Sequence, residues 1–161
     1  MNPQFVIHSP LNNGYWIYDA SKYELMHFDK NFQLEFSSGN ILQLTSLKDF
    51  KPKQLIFDNN KVYLESENNG VLMFDQYAAL IKKIHLPKRN FFFVENNTLI
   101  FLQGDNRVQA SYFTLSDDKL INLLEVKYDD VFTDLYINNA SFYFLSTKGI
   151  KIYKLTPNQD K

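Results

Sequence analysis

The sequence predicts an all-β chain built from repeated four-stranded antiparallel units. Three observations carry that expectation. Aromatic residues make up 16% of the 161 positions, and 15 Phe and 10 Tyr supply nearly all of them; such side chains favour strands and bury large areas. Asn-Asn pairs recur at Asn12-Asn13, Asn59-Asn60, Asn96-Asn97 and Asn138-Asn139, spaced 47, 37 and 42 residues apart. Apolar residues alternate or fall in short blocks instead of recurring at every third and fourth position. Helix is therefore confined to one turn within Leu47–Gln54, before Pro52.

Asn tolerates the left-handed backbone of tight turns, so each pair marks a hairpin between two strands. In the first unit Phe5–Pro10 leads into the Asn pair, and Gly14–Asp19, Tyr23–Asp29 and Phe32–Ser38 follow. The second unit repeats this with Lys53–Asp58, Lys61–Ser66, Gly70–Gln76 and Ala78–Ile84. The third runs through Asn90–Glu95, Thr98–Gln103, Gln109–Leu115 and Lys119–Val126. The fourth has Phe132–Ile137, Ala140–Leu145 and Gly149–Leu155, with no fourth run before Lys161. The total is fifteen strands. Runs such as YWIY, LMF and FYFL are apolar on both faces, as mid-sheet strands packed on both sides require, whereas LIKKI and FQLEF are polar on one face, as rim strands can be. Gln4–Ser9 can pair within the first unit or beside Gly149–Leu155; the first is favoured, because its spacing to the next strand follows that of the second unit.

A repeat near forty residues with four short strands per unit is the period of a β-propeller blade. The expected fold is thus all-β, a β-propeller-like array of four-stranded antiparallel blades, about three and a half to four in number. It is expected to form a single domain over residues 1–161, with units near 5–50, 52–87, 90–130 and 131–161. Three arrangements fit that count: a piece or short relative of a larger propeller, two chains that complete a ring or cover each other's open faces, or sheets that close on themselves as a small propeller, sandwich or barrel.

Asn68–Ile84 (NNGVLMFDQYAALIKKI) and Ser21–Phe36 (SKYELMHFDKNFQLEF) resemble blades of the six- or seven-bladed propellers of the NHL type. In those, a strand and a Gly turn precede an apolar strand ending in Phe-Asp, and a second turn leads to an outer strand. The resemblance spreads over nearly the whole chain and specifies architecture. The Gly-His…Trp-Asp pairing of WD repeats, the Gly-Gly step of kelch units and the repeated Trp of quinone-dependent propellers are missing, so no site residues carry over from those groups. Exported members are common among such propellers, which implies a periplasmic or surface location if an export signal has been removed.

Composition narrows the chemistry. Net charge is −1 and the densest basic clusters are Lys82-Lys83 and Lys88-Arg89, so nucleic acid is not an expected partner. The absence of Cys excludes disulfides, thiolate metal sites and a Cys nucleophile. No apolar run reaches the ~18–20 residues of a membrane helix, so membrane insertion is not expected. The N-terminal stretch lacks the basic and apolar regions of a signal peptide.

No residue earns a catalytic, cofactor or metal role. His8, His27 and His85 have no ligand spacing and read as surface or edge imidazoles. Asp19, Asp29, Asp58, Asp75 and Asp134 read as strand-end carboxylates. Asp29 and Asp75 hold equivalent places after Phe28 and Phe74, where the other units have Thr114 and Lys154, and are expected to accept backbone N–H bonds in the next turn. Ser116–Lys119 and Tyr128–Asp130 read as acidic loops, and Gln103–Arg107 as a hairpin turn without phosphate-binding character. Asn96 and Asn139 formally match the glycosylation sequon, yet each already has a turn reason to be Asn. YWIY and FFF are expected to be buried, and Trp16 is the one aromatic to inspect for a pocket.

The expected function is a noncatalytic binding or scaffolding module that engages a protein partner or a second copy of itself. Carbohydrate or small-ligand binding, and a hydrolase or lyase with carboxylates at the channel end, are the alternatives. No cofactor is expected.

Overall fold

The computed structural model describes residues 1–10, 13–86, 91–95, 98–103, 107–114, 119–127, 132–138 and 141–154. Asn12, Lys88-Arg89, Asn96-Asn97 and Asn139 lie outside them, as do Gly104–Asn106, Ser116–Asp118 and Tyr128–Asp130. Both sequon asparagines and most of the acidic loops therefore fall outside the described residues.

The described residues form fifteen strands and one short helix. The first sheet has the order β1 (Pro3–Ser9), β2 (Gly14–Asp19), β3 (Glu24–Phe28), β4 (Leu34–Asn40), followed by α1 (Ile41–Thr45). The second is β5 (Pro52–Asp58), β6 (Lys61–Ser66), β7 (Gly70–Asp75), β8 (Leu80–Ile84). The third holds β9 (Phe91–Glu95), β10 (Thr98–Gln103), β11 (Arg107–Thr114), β12 (Lys119–Lys127), and the fourth β13 (Phe132–Asn138), β14 (Ser141–Ser146), β15 (Gly149–Lys154). Gln4–Ser9 thus pairs within the first sheet, and the fourth sheet has three strands. The chain divides into two compact units, Met1–Lys88 with Val94–Asn97, and Arg89–Phe93 with Thr98–Lys161.

Local chemistry explains the first unit. Asn59 and Asn60 take φ of 45° and 61°, the left-handed pair that a two-residue hairpin needs between twisted strands. The helical turn lies earlier than expected, at Ile41–Thr45 instead of within Leu47–Gln54. Asn40 caps it by accepting from Gln43 N at 3.1 Å, Ile41 is buried, and Ser46 closes it in the left-handed region. Pro52 then opens β5, where its missing N–H costs little.

Burial separates central strands from flanking ones. Every residue of β2 except Tyr15 and of β6 except Lys61 is buried, whereas β1, up to its buried last residue Ser9, and β4 are exposed or half-buried. A central strand packed on both faces must be apolar throughout, which is the pattern YWIY and VYL show. One face of the first sheet meets one face of the second: Trp16, Tyr18, Leu25 and Ile41 pack with Leu55, Val62, Leu64, Leu72, Phe74 and Ala78. On the first sheet's opposite face Ile17, Met26 and Phe28 form a smaller cluster with Tyr15.

In the second unit, Phe142 and Phe144 of β14 are buried and stacked at 6.2 Å, with Tyr153 edge-on to Phe144 at 5.4 Å. Alternation sends Leu145 to the other side, where Ile150 and Ile152 are exposed with Tyr136.

Candidate functional site

The site grows from the strand register of the first sheet. Pairing sets Ile7 opposite Trp16, Trp16 opposite His27, and His27 opposite Phe36. Directly paired residues point to the same face, so these side chains form one row across the sheet. The Trp16 and His27 rings lie 4.7 Å apart, and His27 stacks on Phe36 at 6.0 Å. Phe57 at the end of β5 and Gln76-Tyr77 in the turn after β7 close the row from the second sheet. Together with Ser9 they line a pocket of about 180 Å³. Tyr77 meets the Phe36 ring edge-on at 5.3 Å and is itself exposed, so it stands at the mouth.

His27 corrects the sequence reading. It is not a surface or edge imidazole: only 2% of its surface is exposed. Period-2 alternation places it on the inward face with Leu25, and its partner Trp16 shields it. Gly14 makes the room. A Cβ there would collide with the Phe28 carbonyl oxygen and stand 3.0 Å from His27 Cε1 and Nε2. Glu35 Oε2 lies 3.0 Å from Nδ1, an ion pair when the imidazole is protonated. The contact fails hydrogen-bond geometry, so Nδ1 and the Trp16 indole Nε1 are both buried without a hydrogen-bond partner among the described residues. Unsatisfied buried donors are uncommon and costly.

Ser9, His27 and Glu35 bring a hydroxyl, an imidazole and a carboxylate near one pocket. Ser9 and His27 line the pocket, and His27 Nδ1 is turned to Glu35. The arrangement suits recognition: aromatic walls with a few polar groups between them.

The other expected residues are placed elsewhere. His8 and His85 are exposed, and His8 lies edge-on to Tyr15. Asp29 Oδ1 accepts from Asn31 N and Gln33 N at 2.8 Å each, and Asp75 Oδ1 accepts from Tyr77 N at 2.9 Å and Ala79 N at 2.8 Å. Both are turn residues, as expected. Asp19, fully buried at the end of β2, accepts from Ser21 Oγ and N and from Asn2 N, which ties the N-terminus to the β2–β3 turn. The Ser21 hydroxyl, then these backbone N–H groups, hold its carboxyl down to about 2 against the opposing effect of burial. Asp58 ends β5 and accepts from the Asn59 amide. Asp134 is not at a strand end: it pairs with Leu145 inside β13, because that strand runs on to Asn138. Burial pushes the Tyr18 hydroxyl up to about 12 and raises that of Tyr63 further, and neither hydroxyl has a hydrogen-bond partner among the described residues. Among the described residues no cluster of three or more His, Asp or Glu could hold a metal ion, and no helix is long and apolar enough to cross a membrane.

Sequence reasoning singled out Trp16 and missed Ser9, Phe36, Phe57, Gln76 and Tyr77. The available signal was the alternation of Trp16, His27 and Phe36 within three consecutive strands, which becomes a row only once the register is known.

No known protein family matches the chain, and no curated protein matches it by sequence. Solved structures do match it. The similar ones include PorZ, a surface component of the type-IX secretion system of Porphyromonas gingivalis (TM-score 0.68, 18% identity, 94% of this chain and 21% of that one). The Pan2 WD40 domain of Neurospora crassa aligns with TM-score 0.60 and 11% identity over 99% of this chain and 48% of its own. BBS1N, solved in complex with ARL6DN, aligns with TM-score 0.62 and 13% identity over 98% of this chain and 48% of its own. The sheets are β-propeller blades. At these identities the likeness is one of fold, and the chain spans about half or less of each of these propeller proteins.

Proposed function

We propose that this chain is a noncatalytic binding module, a set of propeller blades that engages a protein partner. The aromatic pocket between the first two blades carries the reading. It is concave and bordered by exposed Tyr77, and two buried nitrogens of its lining residues, Trp16 Nε1 and His27 Nδ1, have no hydrogen-bond partner among the described residues. Aromatic anchors of this kind dominate the energetics of protein interfaces. BBS1N, a structural neighbour, was solved with a protein partner, which agrees with the reading; another neighbour is streptogramin B lyase, so fold does not choose the function.

Affinity capture with the chain as bait, beside native mass measurement, tests this. A partner or a second copy that is retained by the wild type and lost with Tyr77→Ala is the expected result. A chain that stays monomeric and captures nothing, or whose partner is indifferent to Tyr77→Ala, overturns it.

A further inference from the structure

We infer that the exposed face of the fourth sheet docks a second copy of this chain, on the outer face of that copy's first sheet. The contact is separate from the pocket beside Tyr77. It follows from how the first two sheets pack. The hairpin-closing pairs Ser9–Gly14, Asp58–Lys61 and Asn138–Ser141 set equivalent residues of β2, β6 and β14 in step. Trp16 and Tyr18, the third and fifth residues of β2, lie against Val62 and Leu64, the second and fourth of β6. A blade therefore has a leading face, built on its third and fifth residues, and a trailing face, built on its second and fourth. The leading face of the first sheet is covered by the trailing face of the second.

In β14 the trailing residues Phe142 and Phe144 are buried, and the leading residues are Tyr143 and Leu145. Tyr136 and Ile152 flank Tyr143, and Ile150 flanks Leu145, so the register carries this face over three strands. The Tyr136 and Tyr143 rings lie 5.9 Å apart on it. Tyr136, Leu145, Ile150 and Ile152 are 44–65% exposed. Their counterparts in the first sheet, Ile7, Tyr18, Leu25 and His27, are half-buried or buried under the next blade. Side chains of this size in adjacent register make an apolar patch of roughly a few hundred Å², the scale that marks an interaction site.

The matching occupant presents a trailing face. On the first sheet that face holds Tyr15 and Ile17 of β2 with Met26 and Phe28 of β3. Its centre is packed and its margins are open. Val6 is 56% exposed, whereas its counterpart Leu55, beneath the first sheet's leading face, is 5% exposed. Phe32 and Leu34 at the other margin are exposed too. Two copies joined head to tail, twice, cover both faces of each copy. Both faces together bring the contact towards the ~800 Å² per partner of a stable complex. The pair supplies twice four sheets, within the blade number of closed propellers, and this chain spans about half of solved propellers such as the Pan2 WD40 domain and BBS1N.

The purified 161-residue chain is measured by native mass spectrometry and sedimentation over a range of concentrations. A concentration-dependent dimer is expected. Ile150→Lys on the leading face and Val6→Lys on the trailing face should each weaken it about tenfold or more, because each buries an unpaired charge. Both positions are exposed in the single chain, so the urea midpoint of the monomer should not move. Mixing the two variants decides which faces pair. Each variant keeps one intact face, so the mixed pair should form through one junction and outnumber either variant paired with itself. A wild-type chain that stays monomeric, a dimer indifferent to either substitution, or no preference for the mixed pair overturns the inference. So does a monomer whose urea midpoint falls with Ile150→Lys, since the face is then covered within the chain. A dimer that survives Tyr77→Ala and is lost with Ile150→Lys belongs to this contact and not to the pocket.

Discussion

The turn after β3 and the turn after β7 share a backbone and differ in what they touch. In the first, Asp29 N donates to Gln33 O and Phe32 N to Asp29 O; in the second, Asp75 N donates to Ala79 O and Ala78 N to Asp75 O. The equivalent residues Phe32 and Ala78 have φ of 59° and 64°. Phe32 is 63% exposed and stacks on Tyr15 at 5.0 Å on the outer side, whereas Ala78 is 1% exposed inside the inter-sheet core. Tyr77 lines the pocket, and its counterpart Asn31 does not. The same carboxylate-headed turn thus serves as a plain connection in one blade and as the wall of a site in the next. Local chemistry builds the turn, and the neighbouring sheet assigns its role.

The most damaging way to break this comparison is Ala78→Phe. The backbone accepts Phe at the equivalent position 32, so any loss is packing: overfilling should cost about 1–3 kcal/mol, read as a lowered urea midpoint. An unchanged midpoint means the inter-sheet core does not close on that turn. Removing buried Asp19 with Asp19→Ala should cost about 2 kcal/mol, because three donors lose a charged acceptor. Its folded carboxyl sits near 2, below the ordinary 3.8. Its contribution is therefore complete above that ordinary value and is lost as pH falls through it towards about 2; a melting temperature flat from pH 7 to pH 3 argues against the tie. Asp75→Ala should cost about 1 kcal/mol through the two turn donors it leaves. Asp29→Ala removes the same pair of bonds at an equally half-buried position and should cost no more; the Gln33 and Asn31 donors hold that carboxyl below the ordinary range. The smallest effect has the opposite sign. Phe32→Gly relieves a left-handed non-glycine residue and should leave stability unchanged or raised by under about 1 kcal/mol, net of the lost Tyr15 stack.

A separate measurement bears on domain organisation. If residues 1–161 fold as one domain, calorimetry shows one transition; two transitions assign independent stability to the two compact units.

Most of the strand layout was legible because its signals are local. Asn59-Asn60 specified a left-handed hairpin, the Phe-Asp ends of β3 and β7 specified capped turns, and YWIY specified a strand packed on both faces. The helical turn was misplaced because Asn40 and Ile41 signal it only weakly: Ile41 is retained by a core contributed largely by another sheet. His27 was misread for a similar reason. Nothing beside it in LMHFD separates an inward from an outward imidazole, and its burial depends on Trp16 across the sheet and on the missing Cβ of Gly14.

Among the described residues, the sequence by itself determined how many strands form, in what order they come, and the Asn59-Asn60 turn between β5 and β6. Those outcomes depend on backbone preferences and alternation acting over a few residues. Only the tertiary structure decided that Trp16, His27 and Phe36 stand in one row and that Phe57, Gln76 and Tyr77 face them. A strand's own residues fix which way each side chain points, but what it meets there is set by register and by the packing of a second sheet, and those depend on groups distant in the chain.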